Sequence, residues 1–199
     1  DAEVLFFPIP DGELGKSGAT LVKIWDWLGA AGFTRSDLIV GIGGGAVTDF
    51  AGFAAASWLR GIDWIAVPTT VAGAVDAAIG GKTAINSEYG KNLIGAFHSP
   101  IAVIVDTNWF RTLSDRDFAA GLAEVVKAGF ISDGKILELI ASRNISQIRS
   151  EDSLVQELVA RSIAVKASVV SVDFKESFAR EALNYGHTLG HAIELECKF

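Results

Sequence analysis

Three short apolar segments constrain the fold of the first half of the chain most strongly. They cover residues 37–42, 64–68 and 101–105. Their near-continuous apolar character predicts strands that are buried on both faces, as in a helix-covered parallel sheet. The first segment runs into three consecutive glycines, and a helix of small residues is predicted from about residue 48 to residue 59. Strands that alternate with helices favour an α/β fold.

The segment before these strands contains two further predicted elements. A short strand is predicted at residues 4–7, followed by a turn rich in proline and glycine. Ser17 is predicted to cap a helix, because apolar residues after it recur at helical spacing, and Gly32 is predicted to end that helix.

The second half of the chain has a different pattern, because its apolar residues recur at helical spacing. Helices are predicted over residues 114–130, 133–142, 153–172 and 178–196. The chain is therefore predicted to consist of an α/β N-terminal half, with a parallel sheet and helices, followed by an α-helical half. The boundary is placed between residues 106 and 107.

The charge and hydropathy of the chain exclude several classes of protein. With 17 basic and 24 acidic residues, its net charge is −7, so it lacks the positive potential that drives general binding to nucleic acids or anionic membranes. Its apolar runs stop well short of the roughly 20 residues that a membrane-spanning helix needs. The single cysteine, Cys197, cannot form an intrachain disulfide, and no secretion signal is visible, which favours a cytoplasmic protein.

A glycine-rich turn between the first strand and its helix is the first candidate binding site. The sequence from Gly41 to Ala46 matches the pattern G-x-G-x-x-[GA]. Glycines let backbone N–H groups approach a pyrophosphate, and a helix N-terminus adds positive potential. However, the next strand ends in Thr69 and Thr70 without the acidic residue that ordinarily binds the ribose. A plain tight turn therefore remains an alternative to a nucleotide site.

A second glycine-rich stretch, residues 80–97, contains two lysines and is predicted to be a loop without helix or strand. Lysine supplies a point charge for phosphate. The Gly-Lys-Thr sequence does not belong to a P-loop, since the required upstream glycine is replaced by Asp76. A solvated surface loop is the alternative, although long loops in compact domains are frequently functional.

Two pairs of side chains in the second half are candidates for catalysis or metal binding. Glu124 and Lys127 lie three residues apart among apolar and small neighbours, so both charges are expected to be partly buried, with a surface ion pair as the alternative. His187 and His191 lie four residues apart, and on a helix both imidazoles would point to the same side. Structural histidines remain the alternative for this pair.

Three remaining features have simpler interpretations. His98 is interpreted as a loop residue and Cys197 as a bystander. The charged residues around residues 166–180 are compatible with a solvated helix end.

Taken together, the motifs resemble those of the 3-dehydroquinate synthase family, a branch of the sugar-phosphate cyclases, in the same order and at similar spacing. The segments that carry the resemblance are Pro10-x-Gly12-Glu13-x-x-Lys16, Gly43-Gly44-Gly45 with Asp49, Pro68-Thr69-Thr70, Asp76 with Gly80-Gly81-Lys82, Gly90-Lys91-Asn92-x-x-Gly95-Ala96-Phe97, Ala123-Glu124-Val125-x-Lys127 and Asn184-x-Gly186-His187-x-x-Gly190-His191. They cover nearly the whole chain.

The resemblance implies a phosphate-eliminating lyase of the shikimate pathway, the route to aromatic amino acids. Its substrate would be the sugar phosphate 3-deoxy-D-arabino-heptulosonate 7-phosphate, and its products 3-dehydroquinate and phosphate. The cofactors implied are NAD, used catalytically, and a divalent metal, Zn²⁺ or Co²⁺. A related cyclase, such as 2-deoxy-scyllo-inosose synthase, and a metal-dependent polyol dehydrogenase are the alternatives.

The resemblance also assigns candidate residues to each ligand. The residues implied to line the NAD site are Glu13, Lys16, Gly44, Gly45, Ala46, Asp49, Thr69, Thr70, Lys82, Lys91, Asn92 and Thr112. Those implied to contact the substrate or take part in catalysis are Asp76, Lys82, Lys127, Lys166, Arg180, Asn184 and His191. Glu124 and His187 are implied to be metal ligands.

The boundaries of the resemblance lead to expectations about the chain as a whole. Residues 1–106 would be part of an NAD-binding α/β domain, and residues 107–199 part of an α-helical domain that binds metal and substrate. The family's third metal ligand would fall beyond Phe199, so the chain is expected to be an internal fragment that lacks both family termini and binds metal weakly by itself. The full-length protein is expected to be a homodimer.

Overall fold

The computed structural model describes residues 3–175 and 179–186, which form two compact units, Asp1–Asp106 and Thr107–Phe199. The first unit contains helices α1 (Gly18–Ala30) and α2 (Gly45–Ser57) and strands β1 (Ile39–Gly43), β2 (Trp64–Pro68), β3 (Lys82–Ser87), β4 (Gly90–Phe97) and β5 (Ala102–Val103). The second contains helices α3 (Asp115–Ile131), α4 (Gly134–Ile140), α5 (Ile145–Ser150) and α6 (Asp152–Val172). Of the helices in these described ranges, none has the length and apolar character of a membrane span.

A three-stranded parallel sheet forms the centre of the first unit, which confirms the predicted α/β architecture. The strand order is β1-β2-β5, and the register pairs Gly41 of β1 with Ala66 of β2. Helix α2 connects β1 to β2 and packs very closely on the sheet. A β-carbon on Gly41 would lie 2.6 Å from the β-carbon of Ala51, so only glycine at this position allows the observed approach of helix and strand.

The prediction that the strands are buried on both faces is wrong for β1. Gly41 of β1 and Ala66 of β2 are buried beneath α2, whereas Val40 and Ile42 on the opposite face are 47% and 53% exposed. Alternate residues of a strand point to opposite faces, and a run of apolar residues therefore does not reveal whether one face or both are covered.

Several predicted boundaries also need correction. Residues 4–7 are extended but pair with no strand, and β5 covers only two of the five residues predicted there. Helix α2 begins at Gly45, three residues before the predicted start. The predicted cap of α1 is confirmed, because the Ser17 hydroxyl accepts a hydrogen bond from the backbone N–H of Thr20.

The glycine-rich stretch at residues 80–97 is an antiparallel hairpin of β3 and β4, and the predicted loop is wrong. Pairing runs from Lys82 opposite Phe97 to Ser87 opposite Gly90. The buried hydroxyl of Thr83 donates to the carbonyl of Ala96 at 2.8 Å. The hairpin obtains its stability from cross-strand bonds and from packing on α2, neither of which the local glycine content reveals.

The second unit is helical, as predicted, and side chains cap the starts of three of its helices. Side chains of Ser114, Asp133 and Asn144 accept hydrogen bonds from the first turns of α3, α4 and α5. Helix α5 was not predicted. Helix α3 packs against α4 and α6.

The helix predicted over residues 178–196 is wrong in its first part. Ala179–Asn184 forms a 3₁₀ helix, and a turn follows at Tyr185 and Gly186. The φ angle of Gly186 is +82°, which no α-helix contains. The remainder of that prediction lies outside the described residues.

We expect the close packing of α2 to make Gly52→Ala destabilising. A β-carbon at this position would lie 2.4 Å from Cγ2 of Thr83 and 2.7 Å from the ring of Trp64. Overpacking of this kind costs about 1–3 kcal/mol of unfolding free energy, which denaturant titration measures.

Gly18→Ala is the matched control, because a β-carbon there has no atom within 4 Å. It is expected to leave the unfolding free energy unchanged or to raise it by up to about 1 kcal/mol. Equal effects of the two substitutions would contradict the packing described for α2.

Candidate functional site

The turn between β1 and α2 brings backbone N–H groups to the carboxyl edge of the sheet. Gly44 is the N-cap of α2, and its carbonyl accepts hydrogen bonds from the N–H groups of Val47 and Thr48. The N–H groups at the start of a helix have no acceptor within the helix, and the helix dipole makes this end positive. Such a turn is suited to an anionic group such as a pyrophosphate.

The segment after β2 lies directly against this turn. A β-carbon on Gly44 would approach Cγ2 of Thr70 to 3.3 Å, and one on Gly45 would approach the β-carbon of Ala77 to 3.0 Å. The Thr69 N–H donates to the carbonyl of Gly43 at 2.8 Å. Four of the predicted cofactor residues, Gly44, Gly45, Thr69 and Thr70, are thus neighbours in space.

Sequence reasoning did not find the unusual backbone that follows Thr70. Gly73–Ala77 forms a π-helical turn, and the Thr70 hydroxyl accepts a hydrogen bond from the Gly73 N–H at 3.0 Å. Single π-turns are rare and frequently lie at functional sites. Asp76, a predicted substrate residue, lies within this turn. Ala46, a predicted cofactor residue, lies in the first turn of α2.

A second group of predicted cofactor residues surrounds the ammonium group of Lys16. Its Nζ lies 2.7 Å from Oδ2 of Asp49 on α2 and 2.5 Å from Oδ1 of Asn92 on β4. The side chain of Lys16 is only 2% exposed. Burial raises the pKa of Asp49, while the charge of Lys16 and its hydrogen bond act in the opposite direction.

Asn86 joins Glu13 to this group, although the sequence analysis did not select it. Its amide Nδ2 donates to Oε2 of Glu13 at 2.6 Å, and its Oδ1 accepts from the backbone N–H of Asn92 at 3.0 Å. The signal that was available is a polar amide directly after Ala84 and Ile85, which the strand buries.

Three further predicted residues occupy less distinctive positions. Lys82 lies exposed at the start of β3, and Lys91 lies near the start of β4. Thr112 belongs to the second unit, at the end of the 3₁₀ helix Thr107–Thr112, where its hydroxyl donates to the carbonyl of Trp109. Their roles stay predictions.

A buried ion pair on α3 is the main charged feature of the second unit. The Lys127 ammonium pairs with Oε2 of Glu124, and the side chains are 10% and 24% exposed respectively. The alternative of an ordinary surface ion pair is therefore wrong. Two buried ions require mutual compensation, because each loses several kcal/mol of hydration.

Helix α6 and its C-cap carry two more buried charges. Lys166 and Asp173 are each 8% exposed, so a solvated helix end does not describe them. Asn184 is exposed at the end of the 3₁₀ helix Ala179–Asn184, which also contains Arg180.

Of the two candidate metal ligands, only Glu124 lies among the described residues. Within residues 3–175 and 179–186, no three His, Cys, Asp or Glu side chains are grouped so that they could hold a metal ion. The buried carboxylate of Glu124 is a suitable oxygen ligand, whereas His187 and His191 lie outside the described residues. His98 has a structural position, with its ring Nε2 2.8 Å from the carbonyl of Ile62.

Comparison with known proteins gives a consistent result along the whole chain. Residues 6–120 match the sequence profile of the 3-dehydroquinate synthase N-terminal domain, and residues 121–199 match that of the C-terminal domain. The 3-dehydroquinate synthase of Thermobifida fusca is 55% identical over 192 residues, which are 96% of this chain and 52% of that protein. The chain spans about half the length of the curated relatives it matches.

Solved structures of related cyclases have the same fold. A 2-deoxy-scyllo-inosose synthase, solved with carbaglucose-6-phosphate, NAD⁺ and Co²⁺, superposes with a TM-score of 0.84 at 34% identity, over 92% of this chain and 50% of the other. A 2-epi-5-epi-valiolone synthase from Streptomyces hygroscopicus, solved with NAD⁺ and Zn²⁺, gives 0.83 at 27% identity, over 90% and 51%. The chain belongs to the 3-dehydroquinate synthase family.

Proposed function

We propose that the protein is a 3-dehydroquinate synthase, which converts 3-deoxy-D-arabino-heptulosonate 7-phosphate to 3-dehydroquinate and phosphate. The observation that carries the proposal is the buried ammonium group of Lys16. It contacts the side chains of Asp49 and Asn92, which are both distant from it in the sequence. The sequence is 55% identical to a curated 3-dehydroquinate synthase and 34% identical to a 2-deoxy-scyllo-inosose synthase. This difference supports 3-dehydroquinate synthase over the related cyclase.

NAD is the proposed cofactor of the first unit. The glycine turn at Gly44 and Gly45, with the N-terminus of α2, would hold the pyrophosphate, and the group around Lys16 would hold a ribose. Bound there, NAD would supply reversible hydride transfer and would not be consumed overall. The closely packed glycines support this role, because a β-carbon on Gly44 or Gly45 would fill the space beside Thr70 and Ala77.

A divalent metal, Zn²⁺ or Co²⁺, is proposed for the second unit. Glu124 and His187 would bind it, together with a third ligand that the family resemblance places beyond Phe199. When bound, the metal supplies Lewis acidity at the substrate hydroxyls. The position of Glu124 supports this assignment, because its side chain is only 24% exposed and a carboxylate oxygen is a ligand that a divalent cation accepts.

The remaining candidate residues are proposed to bind and orient the substrate. The positive side chains of Lys82, Lys127, Lys166 and Arg180 would neutralise its carboxylate and phosphate. Asn184 would contact its hydroxyls, and Asp76 and His191 would take part in binding or proton transfer. The burial of Lys166 supports a role other than solubility, since lysine is usually exposed in proteins.

The same proposal includes the state of the whole protein. It would act as a homodimer in the cytoplasm, with a small sugar phosphate as its ligand. The single cysteine in the sequence supports a reducing compartment.

Glu124→Gln is expected to lower phosphate release from the substrate at least about 100-fold in the protein with its complete native reading frame. The neutral amide is a much poorer ligand for a divalent cation, and metal catalysis supplies several kcal/mol of barrier lowering. Phosphate release is measured with saturating NAD, and the bound metal is quantified in parallel.

Glu138→Gln is the matched control, because Glu138 forms an exposed ion pair with Lys135 on α4. It is expected to leave both readings unchanged. Full phosphate release by Glu124→Gln would contradict the metal assignment. Stoichiometric NADH accumulation by the wild type, measured at 340 nm, would instead favour a polyol dehydrogenase.

Lys16→Met is expected to destabilise the protein by about 3 kcal/mol at pH 7, since it leaves the Asp49 carboxylate buried without its partner. The pKa of Asp49 is already raised above 3.8 in the folded protein, and the loss of Lys16 removes the charge that opposes the rise. A carboxyl group whose pKa is higher in the folded protein than in the unfolded chain stabilises the fold at pH values below its unfolded-state pKa. That contribution is lost as the pH rises through its folded-state pKa. The destabilisation is therefore expected to shrink as pH falls from 7 towards 4.

Urea titrations of the wild type and the variant at both pH values measure this difference. Lys23→Met, on the exposed face of α1, is the matched control and is expected to have a small effect that does not change with pH. A pH-independent effect of Lys16→Met would contradict the role given to the pair.

A further inference from the structure

The β3–β4 hairpin is irregular at Asn86. Ile85 pairs with Ile94 and Ser87 pairs with Gly90, so one residue of β3 faces three residues of β4. The three residues opposite Asn86 are 91–93, which include two of the predicted cofactor residues. Bulges redirect side chains and are common beside active sites.

The bulge changes the backbone partner of Asn86. Its N–H donates to the carbonyl of Lys16 at 2.8 Å, and an isolated parallel bridge connects it to Ser17. The strand β3 thereby binds the segment that carries Glu13 and Lys16. Asn86 is the point at which this segment and the hairpin are joined.

Asn92 has a backbone conformation that requires support. Its φ angle is +58°, in the left-handed region that non-glycine residues rarely occupy. Its N–H donates to Oδ1 of Asn86, and its own Oδ1 accepts from the ammonium of Lys16. The amide oxygen of Asn86 therefore stabilises the conformation in which Asn92 reaches Lys16.

The amide nitrogen of Asn86 acts on a different residue. It donates to Oε2 of Glu13 at 2.6 Å, although the Glu13 side chain is exposed and would otherwise sample several rotamers. A single side chain thus orients one carboxylate and one amide of the proposed ribose-binding group. The amide has its donor and its acceptor on two separate atoms, so it can serve both residues at once.

We propose that Asn86 is a positioning residue for the dinucleotide: it holds Glu13 and Asn92 in the orientation that binds NAD. The inference rests on the proposed function, and it adds to the cofactor site a residue that the sequence analysis did not select. It assigns to the hairpin bulge the task of shaping this site.

Asn86→Asp tests the donor. The substitution keeps the acceptor for the Asn92 N–H but places a second carboxylate against Glu13. We expect the dissociation constant for NAD, measured by calorimetry with NAD alone on the protein in its complete native reading frame, to rise about tenfold or more. The unfolding midpoint is expected to stay close to the wild-type value, because a positioning role does not require a loss of stability.

Two comparisons separate positioning from a general charge effect. Tyr89→Asp adds the same charge at the hairpin turn, where Tyr89 is 93% exposed, and is expected to change NAD affinity less than twofold. When Glu13→Gln is added to Asn86→Asp, the amide at position 13 can donate a hydrogen bond to the carboxylate at position 86. This is the reverse of the wild-type direction. The double variant is expected to bind NAD more tightly than Asn86→Asp alone.

Asn86→Ala removes both side-chain hydrogen bonds without adding charge, and it provides the test if Asn86→Asp does not fold. The same loss of about tenfold in NAD affinity is expected. Wild-type NAD affinity in both variants would overturn the positioning role, as would parallel losses in NAD affinity and unfolding midpoint. Failure of the wild type to bind NAD would overturn the proposed function, and the positioning role with it.

Discussion

The ammonium group of Lys16 is buried among residues from three separate parts of the first unit, and much of the candidate site depends on that burial. A lysine removed from water loses several kcal/mol of hydration unless charged and polar partners replace it. Asp49 on α2 and Asn92 on β4 provide those partners at 2.7 and 2.5 Å. Because both bonds must form together, the helix, the hairpin and the N-terminal segment have to adopt one arrangement.

Close contacts between backbones make this arrangement possible. Gly41 lets α2 approach the sheet, Gly52 lets it approach β3, and Gly95 lets the two hairpin strands pack, since a β-carbon there would lie 2.2 Å from the carbonyl of Thr83. Interiors are packed so densely that even one additional methyl group must displace a neighbour. The glycines therefore serve mainly the packing of the first unit, while Gly44 and Gly45 also shape the proposed phosphate-binding turn.

The second unit follows a different principle, because its buried charges lie on helices. Glu124 and Lys127 lie one turn apart on α3, and Lys166 is buried on α6, which packs against α3. Helical spacing determines that residues three apart share a face. Sequence reasoning therefore identified this pair but left its burial open, and it did not identify the turn at Gly186 within the predicted helix.

Local patterns in the sequence were sufficient for the parallel sheet, the helix after the triple glycine and most helices of the second unit, because each depends on periodicity or on a short motif. Short motifs also included Lys16, Asp49 and Asn92, which the fold brings together, although their roles stay proposals. Only the tertiary structure decided the β3–β4 hairpin, the one-sided exposure of β1 and the position of Asn86. These depend on partners far away in the chain: the amide of Asn86 bonds to Glu13, 73 residues before it. Hydrogen bonds between distant segments leave no periodic signal, so folding alone reveals them.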